Sequence, residues 1–270
     1  MNKPDTSLWD RQRNKIISKK GGWFVGDGVF CHGYNMMDEL VGKVSYMQVV
    51  VLNATGRLPE RHVADWLEAV HICLSWPDSR IWCNQIGALG GTMRASAVAS
   101  TAAGVLATDS RSYGVKPIKE GIEFIQRAMA SLNRGVSVKE IVLNECEKHG
   151  GKPRIMGYAR PIAKGDERVL AMELVTKKKG FSVGEHLKLA YEVERELLTR
   201  FNEGMNINGY VAAFMADQGF SAEEVYRLYA MVVSSGVNAC YGDMRDRPAE
   251  VFLPLRCDDI DFQGKAYRKL

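Results

Sequence analysis

Apolar residues recur at spacings of three and four along nearly the whole chain, a period that suits helices and leaves little room for sheet. Over 36–56 the residues Met37, Leu40, Val41, Val44, Met47 and Val51 share one face, which predicts a helix stopped by Gly56 and the Arg57-Leu58-Pro59 turn. Over 60–74, Val63, Trp66, Leu67, Val70 and Leu74 do the same, and 183–203 carries Leu187, Ala190, Leu197 and Phe201. The stretch 90–107 is so rich in Ala, Ser and Gly that it predicts a helix built for close backbone approach, in a packed centre or a subunit interface. Ser137 with Glu140, Ser182 with Glu185 and Ser221 with Glu224 have the spacing of capping boxes. Only 81–83 and 251–255 are candidates for short strands. About ten helices without βαβ alternation define an all-α class.

Composition narrows the function. With 270 residues, 46% hydrophobic and 25% charged, the chain can bury a full core, which excludes disorder and fibrous folds. No apolar run reaches the roughly 18 residues of a membrane span. The polar 1–20 segment lacks the apolar run of a secretory signal, so a cytoplasmic protein with no membrane partner is expected. The net charge of +4 comes from 36 basic and 32 acidic residues spread along the chain, which gives no reason to expect nucleic acid. Six cysteines without a CxxC pair and five scattered histidines provide no metal constellation. His71, among Val70, Ile72 and Leu74, reads as a partly buried histidine with its hydrogen bonds met. The glycine-rich GGWFVGDG at 21–28 has no preceding strand and no GK[ST], so it is not a P-loop.

The irregular stretch 150–165, GGKPRIMGYARPIAKG, lies between helical segments, where binding residues commonly sit. Together with three other segments it resembles the citrate synthase family. HGYNMMDELVGKVSYMQVVVLNATGRLP (32–59) is similar to that family's glycine-tyrosine turn, long helix and LP ending. GYARPIAKGDERV (157–169) is similar to its GFGHRVYK…DPR loop, and NINGYVAAF (206–214) to its NVD motif. PLRCDDIDFQGKAYR (254–268) resembles its last extended segment. The likeness covers about 32 to 268. The short length looks closest to citryl-CoA lyases and to the lyase module of ATP-citrate lyase.

The resemblance implies an all-helical homodimer that closes over a carboxylate and an acyl-CoA. It implies a large domain from 1–114 and 206–270 and a smaller mobile one from 115–205. The ligand would be a coenzyme A thioester or a carboxylate, a small-molecule substrate with no bound cofactor and no metal. The family uses an Asp as α-proton base and two His as donors. Here the Asp falls on Asn208, which has no basicity at neutral pH, and one His falls on Ala159, which has nothing to donate. The other falls on Ser112 or Tyr113, whose hydroxyls donate hydrogen bonds. Arg160 and Arg168 stand at the family's two loop arginines and suit a carboxylate, or Arg168 pairs with Asp166 or Glu167 at a helix start. Tyr158, two residues before Arg160 in the same loop, is a further candidate for substrate binding. His149, before Gly150-Gly151, either reaches a cleft or is an exposed helix-end histidine. The arginine expected after the last helix falls on Gly242 or Asp243, with Arg245 as its substitute.

Losing one general acid or base costs about 10² to 10⁴ in rate. With three replaced, a lyase, decarboxylase or acyl-transfer enzyme with a non-standard site stands beside an inactive homologue. The latter would bind a CoA ester or carboxylate, or serve as a subunit of a larger assembly.

Overall fold

The computed structural model describes residues 5–111, 113–159, 165–249 and 257–269. Twelve α-helices and one small sheet are assigned among them, in two compact units, Met1–Glu68 and Ala69–Leu270. The all-α class holds.

The first unit contains the strands that the sequence did not announce. After α1 (Ser7–Gln12), β1 (Gly21–Phe24), β2 (Gly28–Cys31) and β3 (Tyr34–Asn35) form an antiparallel sheet in that order, with Gly21 opposite Cys31 and Phe24 opposite Gly28. The three-residue loop between β1 and β2 contains Gly26 at φ +91°, a conformation that glycine adopts freely. Four-residue strands are too short to show an alternation, which is why helical periodicity elsewhere dominates the reading of the sequence.

The helix predicted over 36–56 is two elements. Met36–Leu40 is a π-helical turn started by Asn35, whose side chain accepts from the Met37 and Asp38 N–H groups. Then α2 (Tyr46–Thr55) starts at a full capping box of Ser45 and Gln48. Ser45 and Gly42, the latter at φ +75°, supply a competing start signal that the apolar spacing hides. Leu40, Met47 and Val51 are buried as predicted, whereas Met37 and Val41 are exposed. Gly56 ends α2 in the left-handed conformation. α3 (Arg61–Leu74) follows, with Trp66, Leu67 and Val70 buried.

The second unit begins on close backbone packing. The 90–107 stretch is split between α4 (Trp82–Thr92) and α5 (Ala97–Leu106), broken where Arg94 takes φ +61°. Residues 81–83 are not a strand, because Ile81 is the extended N-cap of α4. α4 and α5 pack on α12 (Ser234–Arg245), where a Cβ on Gly87 would strike the Val237 carbonyl and one on Gly91 the Tyr241 carbonyl. Small residues therefore let these backbones touch, as expected.

The remaining helices surround α10 (Ile207–Asp217), which is buried at every position from Ile207 to Ala216 except Asn208. α6 (Val115–Leu132), α8 (Glu167–Lys178) and α9 (Glu185–Phe201) pack against it, with α7 (Val138–Glu147) on α9 and α11 (Ala222–Tyr229) on α6. Ser221 and Glu224 form their predicted capping box, and Ser137 caps α7 by accepting from the Glu140 N–H. Ser182 does not cap α9. Asp217, reaching from the end of α10, accepts from the His186 and Leu187 N–H groups at 2.8 and 3.0 Å and takes that place. A tertiary carboxylate displaces the local signal. The candidate strand at 251–255 lies outside the described residues.

Candidate functional site

Two loops of the second unit bring the chemistry together. The first runs from the end of α5 to Gly114. Gly114 sits at φ +88°, and a side chain there would strike the Thr108 carbonyl. The Val115 N–H donates to that carbonyl at 3.1 Å, closing the loop. Within it, the Ser110 hydroxyl donates to the Tyr113 carbonyl at 2.9 Å and accepts from its N–H at 3.2 Å. Asp109 accepts from the Tyr226 hydroxyl at 2.9 Å.

Tyr113 is thus presented by a short, locally tied loop. Its ring lies 5.7 Å from that of exposed Trp82, and its hydroxyl lies 3.7 Å from the Cys83 sulfur. Burial pushes the Tyr113 hydroxyl above its ordinary pKa, the nearby Cys83 adds to that shift, and the Arg168 guanidinium opposes it. Tyr113 is therefore a neutral hydrogen-bond donor at physiological pH and not a proton source.

The second loop runs from Gly157 into α8 and is knotted to the start of α10. Gly157 packs directly on Gly209, and its carbonyl accepts from the Asn206 N–H at 3.0 Å. Asn206 caps α10 with its side-chain oxygen, and its amide nitrogen donates to the Ala159 carbonyl at 2.7 Å. The Ala159 N–H donates to the Gly204 carbonyl at 2.8 Å. Both hydrogen bonds hold Ala159 at φ +71°, a conformation that costs an alanine about 1–2 kcal/mol. Strain of this kind collects at functional positions.

Asp166 is the centre of the knot. Its carboxylate accepts from Arg168 Nε at 2.8 Å and Nη2 at 2.7 Å, from the Arg168 N–H at 3.1 Å, and from the Ile207 N–H at 2.9 Å. Burial alone would raise its pKa, but the Arg168 side chain and the Ile207 N–H outweigh that and hold it below the usual carboxylate value. Asp166 thereby fixes Arg168 and the first turn of α10 relative to one another. Arg168 Nη1 has no partner among the described residues, and neither has the side chain of half-buried Asn208. Arg168 and Asp166 also act electrostatically on the Cys73 thiol at the end of α3.

The structure therefore places Tyr113 within electrostatic reach of Arg168, and Asp166 ties Arg168 to Ile207, the residue before Asn208. It places other candidates elsewhere. Arg245 is exposed in the last turn of α12, beside Gly91, which lies about 12 Å along α4 from Cys83. Arg94 donates to its carbonyl, not to its side chain. His149 is exposed in the turn after α7, with no side-chain partner among the described residues. Tyr158 is buried; its hydroxyl donates to the Ala190 carbonyl at 3.0 Å and its ring meets Phe124 edge-on, so it supports the loop from beneath. Ser112 and Arg160 lie outside the described residues. Among the described residues no cluster of His, Cys, Asp and Glu could hold a metal ion, and no helix is long and apolar enough to cross a membrane.

His71 departs from expectation. It packs against Tyr229 with ring centroids 5.4 Å apart, and its Nε2 is buried with no partner among the described residues. Burial drives its pKa down to about 4. Sequence reading also undervalued Cys83, Trp82 and Asp166. The available signals were the position of Cys83 at the start of α4 and the Asp-x-Arg spacing before α8.

No protein-family model and no curated protein matches the chain. Solved structures do. Citryl-CoA lyase from Hydrogenobacter thermophilus superposes with a TM-score of 0.80 at 22% identity, over 94% of this chain and 97% of that one. ATP citrate lyase from Methanothrix soehngenii, in complex with citrate and coenzyme A, matches with a TM-score of 0.76 at 18% identity; 98% of this chain spans 46% of it. Citrate synthase from the archaeon Thermoplasma acidophilum, with carboxymethyl coenzyme A and oxaloacetate, gives 0.63 at 17% identity over 84% of this chain and 58% of that one. These likenesses establish a citrate synthase-like fold.

Proposed function

We propose that this protein acts on a coenzyme A thioester carrying or meeting a carboxylate, breaking a C–C bond, decarboxylating or transferring the acyl group through a non-standard site. One observation carries the proposal: Asp166 ties Arg168, whose charge reaches the Tyr113 hydroxyl, to the first turn of α10, where Asn208 follows Ile207. Arg168, gripped by Asp166 through Nε and Nη2, offers its Nη1 edge to a substrate carboxylate. Tyr113 donates to the enolate oxygen as it forms, and Asn208 orients a carbonyl or a water.

The direction of chemistry follows from what is missing. Asn208 cannot remove an α-proton, and Ala159 cannot donate. Cleavage or decarboxylation creates the enolate from a breaking C–C bond and needs a held oxyanion but no α-proton base; the proton of a cleaved alcohol passes to a water oriented by Asn208, and water protonates the enolate carbon afterwards. Such reactions fit these residues better than a condensation that begins by enolising a thioester. The similar structures are a citryl-CoA lyase, an ATP citrate lyase holding citrate and coenzyme A, and a citrate synthase holding carboxymethyl coenzyme A and oxaloacetate, which supports the ligand class. Ser112 and Arg160 remain members of the proposed site and Tyr158 supports its loop from beneath, whereas the exposed His149 and Arg245 are left out of it. A homodimer, a cytoplasmic location and a division into 1–114 with 206–270 against 115–205 complete the proposal.

The same two losses favour a second reading, a homologue that binds a CoA ester or carboxylate without turnover. Purified protein incubated with (3S)-citryl-CoA, and separately with acetyl-CoA and oxaloacetate in deuterated buffer, decides between them. Release of acetyl-CoA from citryl-CoA without methyl exchange in acetyl-CoA is the expected result. Binding by calorimetry without product would establish the inactive reading, and no binding of either thioester would overturn both.

A further inference from the structure

We infer that Cys83 is a positioning residue whose thiol backs the Tyr113 hydroxyl, its sulfur accepting the hydroxyl's hydrogen bond in the free protein and its S–H donating to the phenol oxygen when Tyr113 turns to a ligand. The inference rests on the proposed role of Tyr113 as an oxyanion donor.

The hydrogen-bond inventory allows little else. Asn84, buried beside Cys83, donates through its amide nitrogen to the Trp76 carbonyl at 3.0 Å and the Asp78 carbonyl at 2.9 Å. Two carbonyls can be met only by the NH₂ end, so the Asn84 oxygen is fixed toward the Cys83 sulfur, 3.6 Å away. An amide oxygen only accepts, and this one gives the Cys83 S–H a permanent acceptor. On its other side the same sulfur stands 3.7 Å from the Tyr113 hydroxyl. With the thiol proton on Asn84, the sulfur accepts from Tyr113. With the thiol rotated, its proton reaches the phenol oxygen.

The two arrangements differ by one rotation about the Cβ–Sγ bond. In the first, the Tyr113 proton is parked on a weak acceptor that a ligand oxygen displaces easily. In the second, the S–H supports the phenol oxygen while the O–H is given away, which strengthens a donor facing developing negative charge. Burial keeps the thiol protonated, as the arrangement requires. Cys83 is 1% exposed, so it acts through Tyr113 and not on the ligand.

The test places 3-fluorotyrosine at position 113 and follows its ¹⁹F resonance in the wild type, Cys83→Ala and Cys83→Ser, with carboxymethyl-CoA as the probe. In the wild type the resonance moves on saturation. Cys83→Ala is expected to shift the resonance of the free protein and to weaken probe binding by about tenfold, whereas Cys83→Ser, which keeps a donor and an acceptor, stays within about threefold. A probe that binds the wild type and Cys83→Ala equally, with an unmoved free resonance, overturns the role of Cys83 and leaves that of Tyr113 standing. A wild type that neither binds the probe nor shifts its resonance overturns the role of Tyr113, and that of Cys83 with it. Should Cys83→Ala fail to fold, Cys83→Ser together with Asn84→Asp, which keeps the acceptor and removes the anchor of its orientation, reads the same contact. Unchanged resonances in both would reject it.

Discussion

The two sides of the candidate site are built from different materials. The Arg168 side is tied by a buried carboxylate to an arginine and two backbone N–H groups, with a strained alanine and a glycine-on-glycine contact beside it. The Tyr113 side is held by one serine hydroxyl, a tilted tryptophan and a sulfur at 3.7 Å. Charged hydrogen bonds in low dielectric are short and directional, and they fix geometry. Contacts to sulfur are long and tolerant. The difference teaches that the proposed site holds its guanidinium edge rigidly and leaves its phenol donor adjustable.

The strongest way to break that contrast is Asp166→Ala. It leaves a half-buried guanidinium unpaired and two N–H groups without an acceptor, so a loss of about 2–4 kcal/mol is expected in urea unfolding. Asp166→Asn keeps the shape and loses the charge, and should fall between this variant and the wild type. The sign of the pH effect follows from the lowered pKa. The Asp166 contribution is present above the ordinary carboxylate pKa and is lost as pH falls through the folded value, below about 4.

His71 gives a second acid effect that must be separated from the first. Its folded pKa of about 4 lies below the unfolded value of 6.5, so the unfolded chain takes up the proton first. Stability contributed by neutral His71 is complete above pH 6.5 and lost as pH falls toward 4. Integrated over that window the loss is about 3 kcal/mol. The group packs on Tyr229, and burial alone shifts its pKa. His71→Gln should flatten the slope between pH 6.5 and 4 and leave the Asp166 loss at lower pH untouched. A slope that survives this substitution would mean that the acid response in this window belongs to another group.

Legibility from sequence followed the same contrast. Helices with a regular apolar stripe were readable because burial repeats every turn, as on α9 with Leu187, Ala190 and Leu197. The start of α9 was not readable at Ser182, because Asp217, some thirty residues away, supplies the acceptors. The hairpin at 21–31 hid among glycines, with strands too short to show period two. Within the site, Arg168 and its pairing with Asp166 could be anticipated from their adjacency. Asp166 reaching the Ile207 N–H could not, nor could Cys83 meeting Tyr113 thirty positions on, since folding alone creates both proximities. Both ends of each contact were visible as residues; the contact was not.

A smaller effect measures the strain on the rigid side. Ala159→Gly removes the Cβ that resists φ +71° and keeps both backbone hydrogen bonds. It is expected to stabilise the fold by about 1 kcal/mol, since the relief exceeds the added freedom of the unfolded chain. Thermal melting reads this directly. No gain in stability would show that the loop relaxes on its own and that the knot is softer than its hydrogen bonds suggest.

The smallest expected change in stability, and the sharpest for the comparison, is Tyr113→Phe. The hydroxyl is bonded only to a thiol, and Cys83 keeps Asn84 as an acceptor, so nothing buried is orphaned. Less than about 1 kcal/mol should be lost on unfolding. Carboxymethyl-CoA binding should nevertheless weaken by about tenfold, because the lost group is the proposed donor, while citrate, held through Arg168, should bind almost unchanged. Asp166→Asn should show the reverse pattern, with citrate weakened more than the thioester. If both variants weaken both ligands equally, the two sides act as one unit, and the division into a rigid anion edge and an adjustable donor fails.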